Sequence, residues 1–473
     1  MKPNRVYQLL TITIGSALLL PNLFTHGIFG DGLIYAVISR NMSFGQGWLW
    51  EPFYSTDFFN PWAEHPPLYF WLESFAFKLL GDQSYTEKLF SLVLGVLMAI
   101  SITRNWPYKN GSWWYPVLLW AIVPTIHWAY GNNMLENLLV LFTSYAVWFG
   151  LKKTNLFYAS LSGALIFLAF LTKGPVGLFP FAIWILRWLI LRELSFFRCI
   201  QLSVVALFSF GFLITLLFWQ YPASFTFFEN YFNTQVLASL NGERLIQDRV
   251  EELPRYYLIG RVFTELFNPV LLVVLLYIWN SIKSRSTALP KISKQVFLYF
   301  VIGLSATLPL LISPKQHSFY LIPAITWYIL ALALWSWPKL GTLITDINKE
   351  SIGFRSLILT VGLLLCLSIY FSATRVGKIS RDEDLILFVR AVDELVPKND
   401  KIGVSADLIS HHGLHGYFQR YACRSLNTKA HAQWRIITLT DSLPENYSYV
   451  PLERKAPYKL LKAQIAGPSP DAL

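Results

Sequence analysis

The sequence predicts a polytopic α-helical membrane protein with a small domain outside the membrane, and three observations support this fold class. Of its 473 residues, 54% are hydrophobic and only 14% are charged, against about 25% charged residues in ordinary globular chains. About eleven segments are long and apolar enough to cross a bilayer. The basic residues gather at alternate ends of these segments. Together with a mean hydropathy of +0.43, this pattern excludes a disordered chain and a soluble cytosolic enzyme.

The apolar segments approach the length of a spanning helix, which is about 20 residues for a hydrocarbon core about 30 Å thick. The first follows a basic flank and has no convincing small-residue cleavage site, so we expect it to be retained as a span. The predicted spans are Leu9–Phe24, Leu89–Thr103, Trp113–Tyr130, Leu135–Leu151, Leu156–Leu171, Val176–Ile190, Ile200–Phe218, Phe263–Ile282, Val296–Ile312, Phe319–Trp335 and Ile358–Thr374.

The distribution of basic residues predicts the orientation of these spans, because lysine and arginine mark cytoplasmic loops. With the N-terminus in the cytoplasm, sixteen of the 39 basic residues fall on cytoplasmic ends and loops, whereas the short loops on the other side hold only Lys173 and Lys315. The net charge of +11 therefore indicates membrane orientation rather than binding of nucleic acid. It also places the chain after Thr374 outside the cytoplasm.

Two long outer segments, at about 26–88 and 220–262, are rich in aromatic residues. The stretch PPLYFWLESFAFKLLG is typical of an amphipathic helix in the membrane interface, so we expect lids over a cavity. Beyond residue 374, EDLILFVRAVDELV and LISHHGLHGYF have helical spacing, while KIGVSA and WRIITLT read as strands. We therefore expect a membrane domain at 1–374 and a small extracytoplasmic α/β domain at 375–473.

Ionisable side chains near the ends of spans are functional candidates, because burying them at membrane depth costs free energy. All the candidates at the outer ends face one compartment, which suits chemistry on an anionic, lipid-borne substrate better than a proton relay across the bilayer. These candidates are Asp31, Glu64, His65, Glu136, Lys173, Lys315 and His317.

The same residues carry a family resemblance. A DG pair after the first span, EHPP before an aromatic run, an acidic residue opening the fourth span, KGP, and SPKQHSFYLIP occur in this order. The set resembles the lipid-phosphate-dependent GT-C glycosyltransferases, in particular lipid A aminoarabinose transferases and the protein O-mannosyltransferase-like group. The resemblance implies a GT-C-like fold in a bacterial inner membrane, a sugar donor on polyprenyl phosphate, and a catalytic acid in the first outer loop.

The reaction's charge requirements assign roles to some of these residues. A sugar on a lipid phosphate has a good leaving group, so the enzyme must activate an acceptor hydroxyl and hold the charge of the phosphate. Asp31 is the predicted general base, with a solvated loop acid or a helix N-cap as the alternative. Lys315 is predicted to neutralise the phosphate, with bidentate contacts from Arg244 or Arg255. A lysine that only anchors the chain at the interface is its alternative.

The KGP and EHPP motifs place further groups near the cavity. Turn chemistry explains the Gly-Pro of KGP but not the preceding Lys173 on the outer side, so we predict contact with phosphate or sugar. In EHPP, the prolines fix an extended approach that could aim Glu64 and His65 into the cavity. We expect that no cofactor is required; a divalent metal held by this carboxylate and imidazole is the alternative.

Further candidates come from the fourth span, the last outer loop and the C-terminal domain. Glu136 joins Asp31 and Glu64 as a catalytic candidate, and the predicted substrate-binding set is His65, Lys173, Arg244, Arg255, Lys315, His317 and Tyr320. The HHxxH sequence at 411–415 is more often a group of solvated surface histidines; a metal site shared with Glu64 is the alternative.

Two other functions are compatible with many spans. A secondary transporter usually has repeated halves and charge at the bilayer midplane, whereas these spans carry almost no charge in their middle. A ligase or polymerase of lipid-linked glycans usually has its long outer loop late in the chain, whereas here the first loop is the longest. We therefore expect a hexosyl- or pentosyltransferase, with a polyprenyl-phosphate sugar as donor and a lipid, glycan or protein as acceptor.

Overall fold

The computed structural model describes residues 3–108, 110–243, 253–254, 256–284, 289–345, 350–428, 432–452 and 457–464. The chain forms two compact units. The first, the helical unit, comprises Met1–Phe24, Ala63–Tyr69 and Lys88–Val376. The second, the mixed unit, comprises Thr25–Trp62, Phe70–Glu87 and Gly377–Leu473. Most of the first outer segment therefore groups with the C-terminal residues, whereas the sequence predicted a division at residue 374 alone.

The helical unit consists of apolar helices and short 3-10 segments. Its longer elements are Pro3–Leu23, Thr86–Asn105, Trp114–Ala121, Pro124–Gly131, Glu136–Lys152, Leu156–Lys173, Gly174–Ala182, Phe196–Gln220, Pro222–Tyr231, Tyr257–Ser284, Lys294–Thr307, Ile322–Thr345 and Ile352–Thr374. Some helices expose large apolar side chains: Phe197 is 82% exposed and Ile352 is 85% exposed. Such surfaces are stable in lipid rather than water, and the chain is a multi-pass membrane protein.

Among the described residues, eight helical stretches are long and apolar enough to cross a membrane, or nine if a bent pair counts as one span. The prediction was about eleven. The predicted span Trp113–Tyr130 is in fact two eight-residue helices, Trp114–Ala121 and Pro124–Gly131, because Pro124 disfavours a helical conformation for the residue before it. The second of these pairs with helix Glu136–Lys152 at a bend of 118°. The predicted spans Leu156–Leu171 and Val176–Ile190 lie in one stretch at 156–191.

The stretch 156–191 is a hairpin rather than a straight helix. Gly174 ends the first arm with φ of 62°, a left-handed conformation that glycine adopts without strain. A Cβ added to Gly177 would lie 2.7 Å from the carbonyl carbon of Ala169, so the chain folds back on itself. Arg187, further along the second arm, donates to the Gly150 carbonyl at 2.7 Å. The hairpin therefore places Lys173 at its tip.

The mixed unit has helices beside a five-stranded sheet. The helices are Gly30–Ser43, Glu383–Leu395 and His412–Tyr417, with most of Leu68–Leu80. The strand order is Leu426–Asn427, Ile402–Val404, Trp434–Ile437, Lys459–Ala463 and Tyr447–Val450. The first three strands pair in parallel and the last two join antiparallel. Helix Glu383–Leu395 and strands Ile402–Val404 and Trp434–Ile437 lie where the sequence predicted them.

The core of the mixed unit joins residues that are distant in sequence. Ile28 and Leu33 from the first outer segment pack in one cluster with Ile386, Val389 and Leu414, and each of these side chains is at most 3% exposed. A parallel bridge between His26 and Ile379 ties the same two segments through the backbone. This shared core explains why the two segments form one unit.

Candidate functional site

The helical unit buries an ion pair between Glu136 and Lys173. Glu136 opens helix Glu136–Lys152 and Lys173 closes helix Leu156–Lys173, and because these helices run antiparallel, both side chains lie at the same end. The Lys173 ammonium donates to Oε1 of Glu136. Lys173 is 7% exposed and Glu136 is 1% exposed. An acidic side chain at a helix N-terminus is also stabilised by the helix dipole.

The pair leaves hydrogen-bonding capacity on both partners. Oε2 of Glu136 is buried and has no hydrogen-bond partner among the described residues. An ammonium carries three N–H donors, and the carboxylate takes one of them. A buried ion pair is stable only when its geometry and additional hydrogen bonds repay the loss of hydration. This pair is therefore able to accept further polar contacts.

Aromatic rings cover the ammonium. The ring centroid of Tyr320 lies 4.3 Å from Nζ of Lys173, and that of Phe319 lies 5.7 Å away. Both distances allow a cation–π attraction. His317 stacks on Phe319 with centroids 5.1 Å apart, and Trp128 stacks on the same ring at 5.7 Å. The structure thus brings together four residues that the sequence singled out separately, namely Glu136, Lys173, His317 and Tyr320.

The loop that carries His317 and Tyr320 is held by a buried glutamine. Gln316, which is 2% exposed, donates through Nε2 to the Ser313 carbonyl at 3.1 Å and accepts from the backbone N–H of Leu258 at 3.4 Å. Lys315 lies in this loop, half-buried, between the 3-10 segments Leu308–Ile312 and Ser318–Leu321. Its position is compatible with the predicted contact to phosphate, which stays a prediction.

The remaining predicted residues fall in different parts of the chain. Glu64 and His65 belong to the helical unit, are half-buried, and precede helix Leu68–Leu80. Asp31 belongs to the mixed unit and lies in the first turn of helix Gly30–Ser43. Arg244 and Arg255 lie outside the described residues. The roles proposed for these five residues stay predictions.

Sequence reasoning missed two residues in the helical unit. Glu265 is 2% exposed, accepts from Arg261 at 2.6 Å, and accepts from the backbone N–H of Thr125 at 2.9 Å. A carboxylate inside a predicted span was a sufficient signal for it. The other is Tyr231, whose hydroxyl would lie 2.3 Å from a Cβ on Gly174. No pattern in the sequence indicates that Tyr231 packs against this glycine.

The structure bears on the predicted metal site. Among the described residues, no group of three or more His, Cys, Asp or Glu side chains is placed to hold a metal ion. The pairing of Glu64 with His65 on a metal stays a prediction.

In the mixed unit, His411 caps helix His412–Tyr417 by accepting from the Leu414 N–H at 3.0 Å. Its Nε2 lies 3.0 Å from the Tyr458 hydroxyl.

Comparisons with known proteins support the fold. Residues 64–219 match the model of the dolichyl-phosphate-mannose-protein mannosyltransferase family. An uncharacterized protein of Aquifex aeolicus is 28% identical over 222 residues, which are 45% of this chain and 49% of that protein. The match therefore spans about half the length of this relative.

Two solved structures resemble the whole chain. The crystal structure of ArnT from Cupriavidus metallidurans bound to undecaprenyl phosphate has a TM-score of 0.66 and 15% identity, covering 97% of this chain and 98% of that chain. The apo structure of the same protein has a TM-score of 0.63 and 14% identity, covering 94% and 95%. The chain therefore has the GT-C fold, and it resembles the lipid-phosphate-dependent GT-C glycosyltransferases, as the sequence motifs predicted.

Proposed function

We propose that the protein is an integral-membrane glycosyltransferase that moves a hexose or pentose from a polyprenyl-phosphate carrier to a hydroxyl or phosphate of a lipid, glycan or protein acceptor. The observation that carries this proposal is the buried Glu136–Lys173 pair beneath Tyr320. The spare N–H groups of the ammonium suit phosphate oxygens, and the unused carboxylate oxygen suits a sugar hydroxyl. Both charged residues lie in the segment that matches the mannosyltransferase family. The fold shared with ArnT, whose structure holds undecaprenyl phosphate, supports the same donor class.

The proposed location follows from the distribution of basic residues. The protein lies in a bacterial inner membrane with its N-terminus in the cytoplasm, and the ends bearing Glu136, Lys173 and Lys315 face the other side. On that side the acceptors are molecules of the cell envelope, such as lipid A or an envelope glycan. Positive residues at the opposite ends of the spans support this orientation.

The transfer forms one bond and breaks one. An oxygen of the acceptor attacks C1 of the sugar, the bond between C1 and the phosphate oxygen breaks, and its electron pair leaves with the polyprenyl phosphate. The acceptor proton passes to a general base. The leaving group is already stable as an anion, so the protein's task is to activate the acceptor and to hold the developing charge on the phosphate.

The residues of the helical unit provide the groups that hold this charge. Glu136 fixes the position of Lys173 and neutralises it, so this pair alone adds no net positive charge. Lys315 supplies that charge, while the two remaining N–H groups of Lys173 donate to phosphate or sugar oxygens. Tyr320 limits water at the ammonium, which strengthens these contacts. Asp31 remains the proposed general base.

Transfer is tested with purified protein, membrane extract and a set of radiolabelled polyprenyl-phosphate sugars. We expect one label to move to an acceptor, and the labelled product identifies both sugar and acceptor class. Vectorial uptake of a solute into proteoliposomes, without movement of any label, would instead support a secondary transporter. Transfer of whole lipid-linked glycans would support a ligase.

Binding of the donor phosphate is tested at Lys315. We expect Lys315→Ala to weaken polyprenyl-phosphate binding by about 1.5–3 kcal/mol, the contribution of a charged hydrogen bond. Lys315→Arg should lie between Ala and the native residue, because arginine keeps the charge but changes its reach. Titration into detergent-purified variants measures this, with neutral polyprenol as the ligand control.

The matched variant for this titration is Lys153→Ala, which removes an exposed lysine at the other end of helix Glu136–Lys152. It should bind polyprenyl phosphate as the native protein does. Equal affinity of the native and Lys315→Ala proteins would show that Lys315 only anchors the chain. Failure of the native protein to prefer the phosphate over the alcohol would contradict the donor class.

A further inference from the structure

An apolar cavity of about 610 Å³ lies between four helices of the helical unit: Pro3–Leu23, Thr86–Asn105, Trp114–Ala121 and Pro124–Gly131. None of the residues assigned to the donor site lines it. Its volume is within the usual range for ligand sites, about 300–1,000 Å³. A Cβ added to Gly15 in this cavity would have nothing within 4 Å. The lining residues Ile12 and Val96 are 54% and 56% exposed, so the cavity opens sideways as a groove.

The groove follows one face of helix Thr86–Asn105. Leu92, Val96 and Ile100 line it at four-residue spacing, which keeps them on one side of the helix. From Leu92 to Thr103 the groove extends about 17 Å at 1.5 Å per residue, close to the thickness of one leaflet, which is half of about 30 Å. It therefore has the length and polarity to hold one acyl chain of a lipid.

Two cations lie at one end of this groove. Lys88 is one turn before Leu92 and donates to the Asn22 carbonyl at 3.0 Å, and Arg375 donates to Oδ1 of Asn22 at 3.0 Å. A small adjoining cavity touches both Asn22 and Lys88, and it shares Leu19, Leu92 and Tyr130 with the groove. The positive charge is thus continuous with the apolar lining. This combination complements an anionic headgroup joined to an acyl chain.

A buried hydroxyl marks the same end. Tyr130 is 2% exposed and lines both the groove and the adjoining cavity. Its hydroxyl has no hydrogen-bond partner among the described residues. Leaving a buried hydroxyl unpaired costs free energy, and an ester or phosphate oxygen of a lipid would satisfy it. This observation is independent of the charges on Lys88 and Arg375.

We propose that this groove binds an anionic phospholipid of the surrounding bilayer, with an acyl chain along helix Thr86–Asn105 and the phosphate beside Lys88 and Arg375. The occupant is a phospholipid rather than the sugar donor, because the groove has the length of a single leaflet and excludes the Glu136–Lys173 pair from its lining. The site is additional to the proposed donor site and does not depend on the proposed function.

The test uses native mass spectrometry of the detergent-purified full chain titrated with phosphatidylglycerol, phosphatidylcholine and undecaprenyl phosphate. Gly15→Leu places a side chain in the groove at a position where its Cβ meets nothing within 4 Å. We expect it to weaken phosphatidylglycerol binding by about tenfold or more, since displacing two buried methylene groups has that effect. Arg375→Gln should weaken it by about fivefold, the usual effect of one basic residue near an anionic lipid. Binding of phosphatidylcholine should be weaker than that of phosphatidylglycerol in the native protein.

Gly211→Leu is the matched control, because Gly211 lies in helix Phe196–Gln220 and an added Cβ there also meets nothing within 4 Å. It should bind phosphatidylglycerol as the native protein does. Equal binding of the two phospholipids by the native protein would overturn the proposal. So would a loss of undecaprenyl-phosphate binding in Gly15→Leu as large as its loss of phosphatidylglycerol. If undecaprenyl phosphate binds no variant while the phosphatidylglycerol pattern holds, the proposed function fails and the phospholipid site stands.

Discussion

Two charge clusters, one in each unit, pair their carboxylates in different ways. In the mixed unit, Asp82 uses both oxygens: Arg40 donates to Oδ2 at 2.9 Å and Arg420 donates to Oδ1. Arg420 also donates to Glu87 at 3.1 Å, so the charges form a network of two acids and two arginines. In the helical unit, Glu136 has one cation, and its second oxygen has no partner among the described residues.

This difference separates a structural role from a ligand-binding one. A carboxylate with both oxygens paired, such as that of Asp82, fixes neighbouring segments and has little capacity for another ligand. A single pair in a membrane-embedded unit retains an acceptor oxygen and two ammonium donors, at a place where ions are otherwise unfavourable. Charge that is buried but incompletely paired is therefore the better indicator of a binding site in this chain.

The largest expected effect comes from breaking the pair in the helical unit. Glu136→Gln leaves the Lys173 ammonium buried without a counter-charge, so we expect a loss of about 3–5 kcal/mol of stability. The double variant with Lys173→Met should recover most of that stability, because it removes both charges, while transfer remains absent. Thermal unfolding in detergent and the transfer assay measure the two effects.

Glu193→Gln is the control for this experiment, because Glu193 is 55% exposed in its ion pair with Arg187. Arg187 itself is buried, but it keeps its hydrogen bond to the Gly150 carbonyl. Water screens the exposed Glu193 carboxylate, so we expect a loss of at most about 1 kcal/mol. If Glu136→Gln is as stable as Glu193→Gln, the contrast between the two charge clusters is wrong. If the double variant retains transfer, the pair is structural.

The next effect concerns Asp31, the acidic candidate of the mixed unit. Asp31→Asn keeps the size of the side chain but cannot accept a proton, so we expect turnover to fall by about 10²-fold or more with folding intact. Asp384→Asn is a matched control, since Asp384 also lies in the first turn of a helix in this unit. Near-normal turnover in Asp31→Asn would show that Asp31 only stabilises the start of its helix, an effect of about 0.3–1 kcal/mol on stability. Glu64 would then become the leading candidate for the general base.

Much of the fold was visible in the sequence because a membrane restricts what a span can be. Apolar length predicted most long helices, and the prediction failed where local backbone chemistry intervened. Pro124 breaks the segment predicted as Trp113–Tyr130, and this signal was present but outweighed by hydropathy. The strands Lys459–Ala463 and Tyr447–Val450 were not predicted. Their sequences, KLLKA and YSYV, lack the isoleucine and valine pattern of the strands that were predicted, IGV and WRII.

The sequence was enough to select the individual residues of the candidate site, but not to predict which of them contact each other. Glu136 and Lys173 each stood at the end of an apolar segment, which was enough to select them. Their contact depends on the hairpin at Gly174 and on which face each helix presents, and neither follows from local sequence. The grouping of Ile28 with Ile386 was likewise unreadable, since a core built from segments more than 350 residues apart leaves no local signal.

The smallest effect concerns a pH dependence of the mixed unit. His415 is 1% exposed and stacks on Phe58 with ring centroids 4.4 Å apart. Burial lowers its pKa from the ordinary value of about 6.5 to about 4. The nearby backbone of Leu408 and Ile409 opposes this shift, and the charges of His411 and His412 add to it. In the unfolded chain the imidazole binds its proton near pH 6.5, so the unfolded state takes up a proton first as pH falls.

The contribution of neutral His415 to the free energy of unfolding is therefore fully present above about pH 6.5, and it declines as the pH falls toward about 4. His415→Phe keeps a ring against Phe58 and cannot be protonated, so its stability should fall less than that of the native protein across this window. Thermal unfolding of the full chain at pH 7, 5.5 and 4.5 measures the difference between the two curves, which cancels the other titrating groups. Parallel curves would show that His415 is protonated equally in both states, and that a histidine in this core experiences the same solvent as one at the surface.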